Sequence, residues 1–120
     1  MKILVTGDRN FTARSPILNA LRFLPKDTII IHGTARGADT IADVEAKALG
    51  LERRPYPALW ANEGRSAGLR RNIRMLDTEH PDLVIAFHGD IEQSRGTRHC
   101  IIEAQQRGIP VILITEASQK

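Results

Sequence analysis

The chain has 120 residues, of which 42% are hydrophobic and 26% charged, and its formal net charge is +3. This composition is typical of one globular domain and excludes a disordered chain, and no apolar run approaches the ~20 residues of a membrane-spanning helix. The single cysteine, Cys100, excludes an intrachain disulfide. Because the N-terminal apolar stretch is also too short for a secretory signal, we expect a single domain over residues 1–120 that is cytoplasmic and has no membrane partner.

The basic residues are mostly arginine, which accounts for 13 of the 17 lysine and arginine side chains. Arginine carries a planar guanidinium that matches phosphate and carboxylate groups in bidentate fashion. The same excess also suits solvated helix surfaces, so composition alone leaves an anionic partner as one of two interpretations.

Strand-like and helix-like patterns alternate along the chain. Five short apolar or β-branched runs predict strands, at residues 3–6, 28–32, 52–56, 83–87 and 111–115. After the first run, Ser15 and Pro16 predict the N-terminus of a helix whose inward face carries Ile17, Leu21 and Leu24.

Three further helices fill the remaining gaps. The second is rich in alanine, spans residues 39–49 and stops at Gly50. The third ends near residues 80–81, and the fourth ends at residues 107–108. Two apolar stripes set their predicted inward faces: Leu69, Ile73 and Leu76 in the third helix, then Cys100, Ile101 and Ala104 in the fourth.

This alternation predicts an α/β fold, a single Rossmann-like three-layer sandwich around a five-stranded parallel sheet. The first, second, fourth and fifth strand runs are nearly continuous in apolar residues, as expected for strands covered on both faces. The right-handed crossover rule favours the strand order 3-2-1-4-5. In that order the winding reverses between strands 1 and 4, and ligands of open α/β sheets bind at the carboxyl ends of the strands at such a point.

Three polar, glycine-bearing loops are predicted to meet at this edge. They follow strands 1, 2 and 4 and cover residues 6–10, 33–39 and 88–97. Glycine lets backbone N–H groups converge, and the helix that follows each loop directs its positive end toward the same edge, which favours phosphate. Any one such loop is weak evidence, since a strand-to-helix turn often needs a glycine. None matches the triphosphatase P-loop or the G-x-G-x-x-G dinucleotide fingerprint.

The loops and the third helix resemble the SLOG superfamily of Rossmann-like nucleotide-binding domains, and within it the YspA, cpYpsA-related group. The resemblance covers nearly the whole chain and is carried by four stretches: TGDRNFT (6–12), HGTARGAD (32–39), PALWANEGRSAGLRRNIRML (57–76) and AFHGDIEQSRGT (86–97). It implies a pocket for a nucleotide or nucleotide-derived molecule, with the phosphate near the loop after strand 4. Relatives in this group often form dimers, so it also implies a homodimer as one option.

The related Lonely Guy phosphoribohydrolases carry a P-G-G-x-G-T-x-x-E motif that is similar to the stretch from Arg95 to Cys100. Where the motif has its glutamate this chain has Cys100, and a neutral thiol cannot replace a carboxylate that stabilises positive charge on a sugar. Glu103 lies one helical turn further along, so it is the candidate catalytic carboxylate if the chain is a hydrolase. Cys100 itself is expected to be a small core residue.

The candidate ligand-binding or phosphate-binding residues lie in these loops and the third helix. They are Gly7, Asp8, Arg9, Gly33, Arg36, Gly37, Asp39, Arg71, Asn72, Gly89, Asp90, Arg95, Gly96 and Thr97. Arg98 is a further phosphate candidate, and Arg70 and Arg71 point about 100° apart on their helix, so only one of them can face the ligand.

Several of these residues have alternative interpretations. Asp39 is either an N-cap of the second helix or an acceptor for a ribose hydroxyl, and Asp8 and Asp90 are candidates for a ribose or metal contact. Trp60 either stacks on a base or packs over the edge of the sheet. The four histidines show no metal-ligand spacing, so neither a metal site nor a cofactor is predicted.

Three functions remain open. The first is binding or sensing of a nucleotide-like phosphorylated small molecule, which we take as the main expectation. The second is hydrolysis of the N-glycosidic bond of nucleoside 5'-monophosphates. The third is single-stranded nucleic-acid binding, since the DNA-processing protein DprA carries a similar domain, although three Phe, one Tyr and one Trp offer few stacking surfaces.

Overall fold

The computed structural model of the chain describes residues 1–88 and 95–115. Strands and helices follow in the order β1 (Lys2–Gly7), α1 (Arg14–Leu21), β2 (Ile29–His32), α2 (Ala38–Ala48), β3 (Glu52–Pro55), α3 (Trp60–Glu63), α4 (Ala67–Glu79), β4 (Leu83–Phe87), α5 (Arg95–Gln106) and β5 (Val111–Ile114). A short 3₁₀ turn at Gly64–Ser66 joins α3 to α4. The boundaries of α2 differ by one residue from those predicted, because the helix begins at Ala38.

The five strands form one sheet in the order β3-β2-β1-β4-β5, and every neighbouring pair is parallel. The predicted fold class and strand order are therefore confirmed. β1 is the central strand, since it pairs with β2 on one side and β4 on the other. The carboxyl ends of these three strands lie side by side at one edge, which is where the winding of the sheet reverses.

Alternating side chains of the strands build a core on each face of the sheet. Ile3 and Val5 of β1 pack on the face covered by α1 and α2, whereas Leu4 packs with α4 and α5 on the other face. This division follows from the two-residue period of a strand. Each aliphatic side chain buried in this way contributes roughly 1.5–3 kcal/mol of hydrophobic free energy. The two cores hold the helices that begin at the carboxyl edge in fixed positions.

The N-terminus of α1 and part of the inward face of α4 differ from the predictions, whereas Ile17 and Leu21 of α1 and Leu76 of α4 are buried as predicted. α1 begins at Arg14 after Ala13, so Ser15 is inside the helix and is not its N-cap. In α4, Ile73 is 37% exposed, while Asn72 and Met75 are buried. The apolar stripe thus misplaces the buried face by about one residue, or 100°. The physical reason is that Asn72, a polar residue, is buried by bonds to α5 that the stripe does not reveal.

The prediction that the fifth strand is covered on both faces is wrong. Ile112 and Leu113 of β5 point to opposite faces and remain 47% and 44% exposed. β5 is one of the two outer strands of the sheet, so its apolar run does not indicate that the strand is fully buried. In residues 1–88 and 95–115, every helix is too short or too polar to cross a membrane.

Candidate functional site

A cavity of about 440 Å³ opens at the carboxyl ends of the strands. Its walls come from the end of β1, the loops after β1 and β2, and the region from α3 through the middle of α4, together with the first turn of α5. The residues that line it are Thr6, Gly7, Asp8, Arg9, Asn10, Ala35, Asp39, Trp60, Arg65, Gly68, Leu69, Arg71, Asn72, Arg95, Gly96 and Thr97. A cavity of this size is in the range of small-molecule sites.

The floor of the cavity is formed where β1 ends between β4 and α2. A side chain at Gly7 would collide with the carbonyl group of Phe87 and with Cβ of Ala38, so only glycine fits this crossing. The Asp8 N–H donates to the Phe87 carbonyl oxygen at 3.0 Å, and the Asp8 carbonyl oxygen accepts from the Ala38 N–H at 3.3 Å. The first loop therefore closes the N-terminus of α2 with protein backbone.

The Asp39 carboxylate organises the loop after β2. One oxygen, Oδ2, accepts hydrogen bonds from the Gly33 N–H at 2.9 Å and the Ala35 N–H at 3.3 Å. The N-cap of α2 is Gly37, whose φ of 77° suits glycine, so the alternative reading of Asp39 as N-cap is wrong. Asp39 instead lies in the first turn of the helix, where its negative charge suits the positive end of the helix dipole.

The second carboxylate oxygen of Asp39 is in a different environment. The residue is only 4% exposed, and Oδ1 is buried without a hydrogen-bond partner among the described residues. Burial raises the pKa of Asp39 above its ordinary value, and the nearby His32 and Arg71 oppose this rise only in part. Half of the carboxylate is thus satisfied by backbone and half is left without a partner.

Arg71 spans the cavity from α4 to the ends of β2 and β3. Its Nη1 donates to the Gly33 carbonyl oxygen and, at 3.4 Å, to the Tyr56 carbonyl oxygen, and its Nε donates to Asn72 Oδ1 at 3.0 Å. A side chain at Gly33 would collide with the guanidinium. Burial lowers the pKa of Arg71, although Asp39 nearby acts in the opposite direction. Arg71 is therefore both a wall of the cavity and a connection between three elements.

Asn72 connects the same wall to the first turn of α5. Its Nδ2 donates to the Gly96 carbonyl oxygen at 3.2 Å and lies 3.4 Å from His99 Nδ1. Arg95, Gly96 and Thr97 line the cavity from this turn. The positive end of the α5 dipole lies at this turn and favours an anion nearby.

A histidine and an aspartate support the loop from behind the cavity. The Thr34 N–H donates to His32 Nδ1 at 3.1 Å, so the proton of the neutral ring lies on Nε2, which donates to Asp43 Oδ1 at 2.8 Å. Arg53 Nη1 donates to Asp43 Oδ2 at 3.1 Å. Although partial burial acts to raise the pKa of Asp43, the hydrogen bonds and charges of these partners lower it overall. Sequence reasoning missed this group, since nothing in the spacing links residues 32, 43 and 53.

Comparison with known proteins identifies a relative from a bacteriophage. No protein-family model matches the chain. The chain is similar to the Gene 61 protein of Mycobacterium phage D29, with 37% identity over 120 residues, which covers 92% of this chain and 94% of the phage protein. The chain belongs to the family of the phage Gene 61 protein.

In this Gene 61 family member, the structure brings most of the sequence-predicted residues to one cavity. Those that line it are Gly7, Asp8, Arg9, Asp39, Arg71, Asn72, Arg95, Gly96 and Thr97. Gly33 and Gly37 lie just behind the wall, and Arg36 is exposed outside it. Gly89 and Asp90 lie outside the described residues. Of the adjacent pair Arg70 and Arg71, only Arg71 lines the cavity, as the helix geometry requires.

Glu103, the predicted catalytic carboxylate, does not line the cavity. Its Oε1 accepts from Arg107 Nη1 at 3.1 Å, and Arg107 also bonds Asp77. The structure therefore places Glu103 in a surface ion-pair group on α5. Cys100 is fully buried, as expected of a core residue, and burial raises the pKa of its thiol to about 12.

The cavity of the Gene 61 family member also includes residues that the predictions did not name. They are Thr6, Asn10, Ala35, Arg65, Gly68 and Leu69. Trp60, named only as one of two alternatives, lines the cavity and is 54% exposed. Arg65 lies in the short 3₁₀ turn that precedes α4, and no periodic pattern in the sequence could assign the direction of its side chain. Within residues 1–88 and 95–115, the four lining arginines, Arg9, Arg65, Arg71 and Arg95, outnumber the two lining carboxylates, Asp8 and Asp39.

Proposed function

We propose that this protein binds a nucleotide or a nucleotide-derived phosphorylated molecule in the cavity at the carboxyl edge of the sheet. The observation that carries the proposal is the convergence of Arg9, Arg65, Arg71 and Arg95 on one cavity of about 440 Å³. These side chains come from separate segments of the chain, so their convergence is a product of the fold. Guanidinium groups gathered in this way are suited to binding phosphate.

The phosphate is expected at the first turn of α5. Arg95, Gly96 and Thr97 combine a guanidinium with the positive end of the dipole of a helix of 12 residues. At the start of α2, by contrast, the Ala38 N–H already donates to the Asp8 carbonyl oxygen and the Asp39 carboxylate adds negative charge. We therefore expect the anion at α5.

The planar part of the ligand is expected against Trp60. An exposed indole in a wall that is otherwise rich in charge offers a stacking surface for a base. Gly68 lies under the indole, and a Cβ at Gly68 would come within 3.6 Å of the ring. A phosphate site and an aromatic surface in one cavity are together the features that a nucleotide needs.

The proposal agrees with the resemblance to the SLOG superfamily, whose nucleotide pocket also lies at this edge, and membership of that superfamily is part of the proposal. Hydrolysis of an N-glycosidic bond is the second candidate. The observation in its favour is that two carboxylates, Asp8 and Asp39, line the cavity although Glu103 does not. A carboxylate near the sugar is the group that such a reaction requires.

The direct test is native mass spectrometry of freshly purified protein, followed by calorimetric titration with nucleoside 5'-monophosphates. We expect a retained or titratable nucleotide at one molecule per chain. Release of free base on incubation would favour the hydrolase. Failure of every nucleotide to bind, with the protein folded, would contradict the proposal.

A matched pair of variants sharpens this test. Arg95→Lys keeps the charge but replaces a bidentate fork by a point charge, so we expect nucleotide affinity to fall about tenfold. Arg98→Lys, one turn further along α5 and outside the cavity wall, is the control and should leave affinity unchanged. Equal affinities of the two variants would argue against a phosphate at this turn.

A further inference from the structure

The buried carboxylate of Asp39 has an oxygen that the described residues leave unsatisfied. Oδ2 accepts two backbone N–H groups, whereas Oδ1 has no hydrogen-bond partner and Asp39 is only 4% exposed. Buried polar atoms in native proteins almost always have a partner. Because Asp39 also lines the cavity, a small turn of its side chain would bring Oδ1 within reach of a bound ligand that supplies the missing donor.

The surroundings of Asp39 favour a neutral donor on the ligand. The buried guanidinium of Arg71 is close enough to influence the carboxylate, so positive charge is already present beside it. The other three lining arginines make the cavity unfavourable for a further cation. In the described part of the chain, no group of three or more His, Cys, Asp or Glu side chains is arranged to hold a metal ion. A hydroxyl group meets these conditions.

We propose that Asp39 Oδ1 accepts a hydrogen bond from a sugar hydroxyl of the ligand, so that the cavity selects phosphorylated ribose compounds over their deoxy counterparts. This inference rests on the proposed function, since it concerns the same cavity.

The position of Asp39 relative to the phosphate site fits such a ligand. Asp39 begins α2, which follows β2, and the Arg95–Thr97 turn begins α5, which follows β4. β1 lies between these two strands, and Asp39 and the Arg95–Thr97 turn line the same cavity of about 440 Å³. One ligand that carries both a phosphate and a sugar can therefore contact the two.

Asp39→Asn tests the orphan oxygen without disturbing the loop. The amide oxygen of asparagine can still accept from the Gly33 and Ala35 N–H groups, while the amide nitrogen replaces Oδ1. The control is Asp77→Asn, which makes the same chemical change at an exposed residue outside the cavity. The probes are the four ribonucleoside 5'-monophosphates with their 2'-deoxy and 3'-deoxy counterparts, titrated by calorimetry.

We expect the wild-type protein to bind the ribonucleotide about 10- to 100-fold more tightly than one of its deoxy counterparts, as is usual for a hydrogen bond to a charged group. In Asp39→Asn the hydroxyl would instead accept from the amide N–H in a weaker, neutral hydrogen bond, so this preference should fall about tenfold, whereas Asp77→Asn should retain it.

Two results would overturn the inference and leave the proposed function standing: equal wild-type affinities for ribonucleotides and both deoxy forms, or a preference that is undiminished in Asp39→Asn. The first of these needs no variant, so it decides the question even if Asp39→Asn is unstable. Failure of every nucleotide to bind the wild-type protein would overturn the proposed function and this inference together.

Discussion

Two buried carboxylates in this protein have opposite surroundings. Glu79, at the end of α4, is 6% exposed and accepts hydrogen bonds from Tyr56 Oη at 2.5 Å, Arg54 Nη1 at 2.8 Å and Lys2 Nζ at 3.1 Å. Asp39, equally buried, accepts hydrogen bonds only from backbone N–H groups among the described residues, and these bond a single oxygen. Burial acts to raise the pKa of both groups. The donors of Glu79 reverse this effect, while those around Asp39 do not.

The difference separates a structural carboxylate from one that is available to a ligand. A buried charge with several hydrogen-bonded partners connects elements of the fold, and Glu79 joins the end of α4 to β1 and β3. A buried carboxylate with an unsatisfied oxygen adds little to stability, because its desolvation is not offset. We therefore expect changes at Glu79 to affect the free energy of unfolding and changes around Asp39 to affect binding.

Glu79→Ala should have the largest effect on stability. Removing the acceptor leaves three donors without their partner, and we expect the free energy of unfolding to fall by about 2–3 kcal/mol, measured by urea denaturation. We expect a smaller loss of stability than for a fully buried ion pair, because the Lys2 and Arg54 side chains are 34% and 38% exposed and can be hydrated in the variant. Nucleotide affinity should not change, and a specific loss of affinity in the folded variant would contradict the assignment of Glu79 as a purely structural carboxylate.

The hydrogen-bonded pair of Glu79 and Tyr56 should make the protein less stable at both low and high pH. The pKa of Glu79 is lowered, so its contribution is present above pH 4.5 and is lost as the pH falls through the lowered pKa. Burial and the adjacent Glu79 raise the pKa of Tyr56 to about 12, so its contribution is present below pH 10 and is lost as the pH rises toward 12. Unfolding curves at a series of pH values should show both losses.

Glu79→Gln is the control for this pH dependence. It removes the acidic titration while keeping an acceptor for the Tyr56 hydroxyl. If Glu79→Gln loses stability at low pH as the wild type does, other carboxylates cause that loss of stability.

Gly33→Ala should have a smaller effect on stability and a clear one on binding. The new methyl group would collide with the Arg71 guanidinium, which must move away from the cavity wall. We expect about 1 kcal/mol of lost stability and roughly tenfold weaker nucleotide binding. Gly50→Ala is the control. Its Cβ would contact nothing within 4 Å, although the positive φ of 75° costs some stability, so only its affinity should equal that of the wild type.

Asp39→Asn should have the smallest effect on stability, within about 1 kcal/mol of the wild type. Because the pKa of Asp39 is raised in the folded state, the wild-type residue contributes stability that is present below pH 3.8 and is lost as the pH rises through the raised pKa. The stability of Asp39→Asn relative to the wild type should therefore increase with pH. A decrease would show that Asp39 is satisfied as well as Glu79 is.

Much of the fold could be predicted because it depends on local patterns. Apolar runs such as residues 83–87 form strands, and short connections between strands and helices restrict the winding to the order that is found. The same reasoning located the loops after β1 and β2 at one edge together with Arg95, Gly96 and Thr97, and residues from all three segments line the cavity. Where the pattern was misleading, as at Ile73 and Ile112, burial was decided by packing partners that are distant in the sequence.

The sequence by itself determined the alternation of strands and helices, the parallel sheet and the edge at which polar loops gather, since each depends on periodicity and on chain connectivity. Only the tertiary structure decided that Arg71 reaches Gly33, that Glu103 pairs with Arg107 outside the cavity, and that one oxygen of Asp39 is buried without a partner. These properties depend on contacts between residues that are far apart in the chain or on the direction of single side chains. Local propensity contains no information about either.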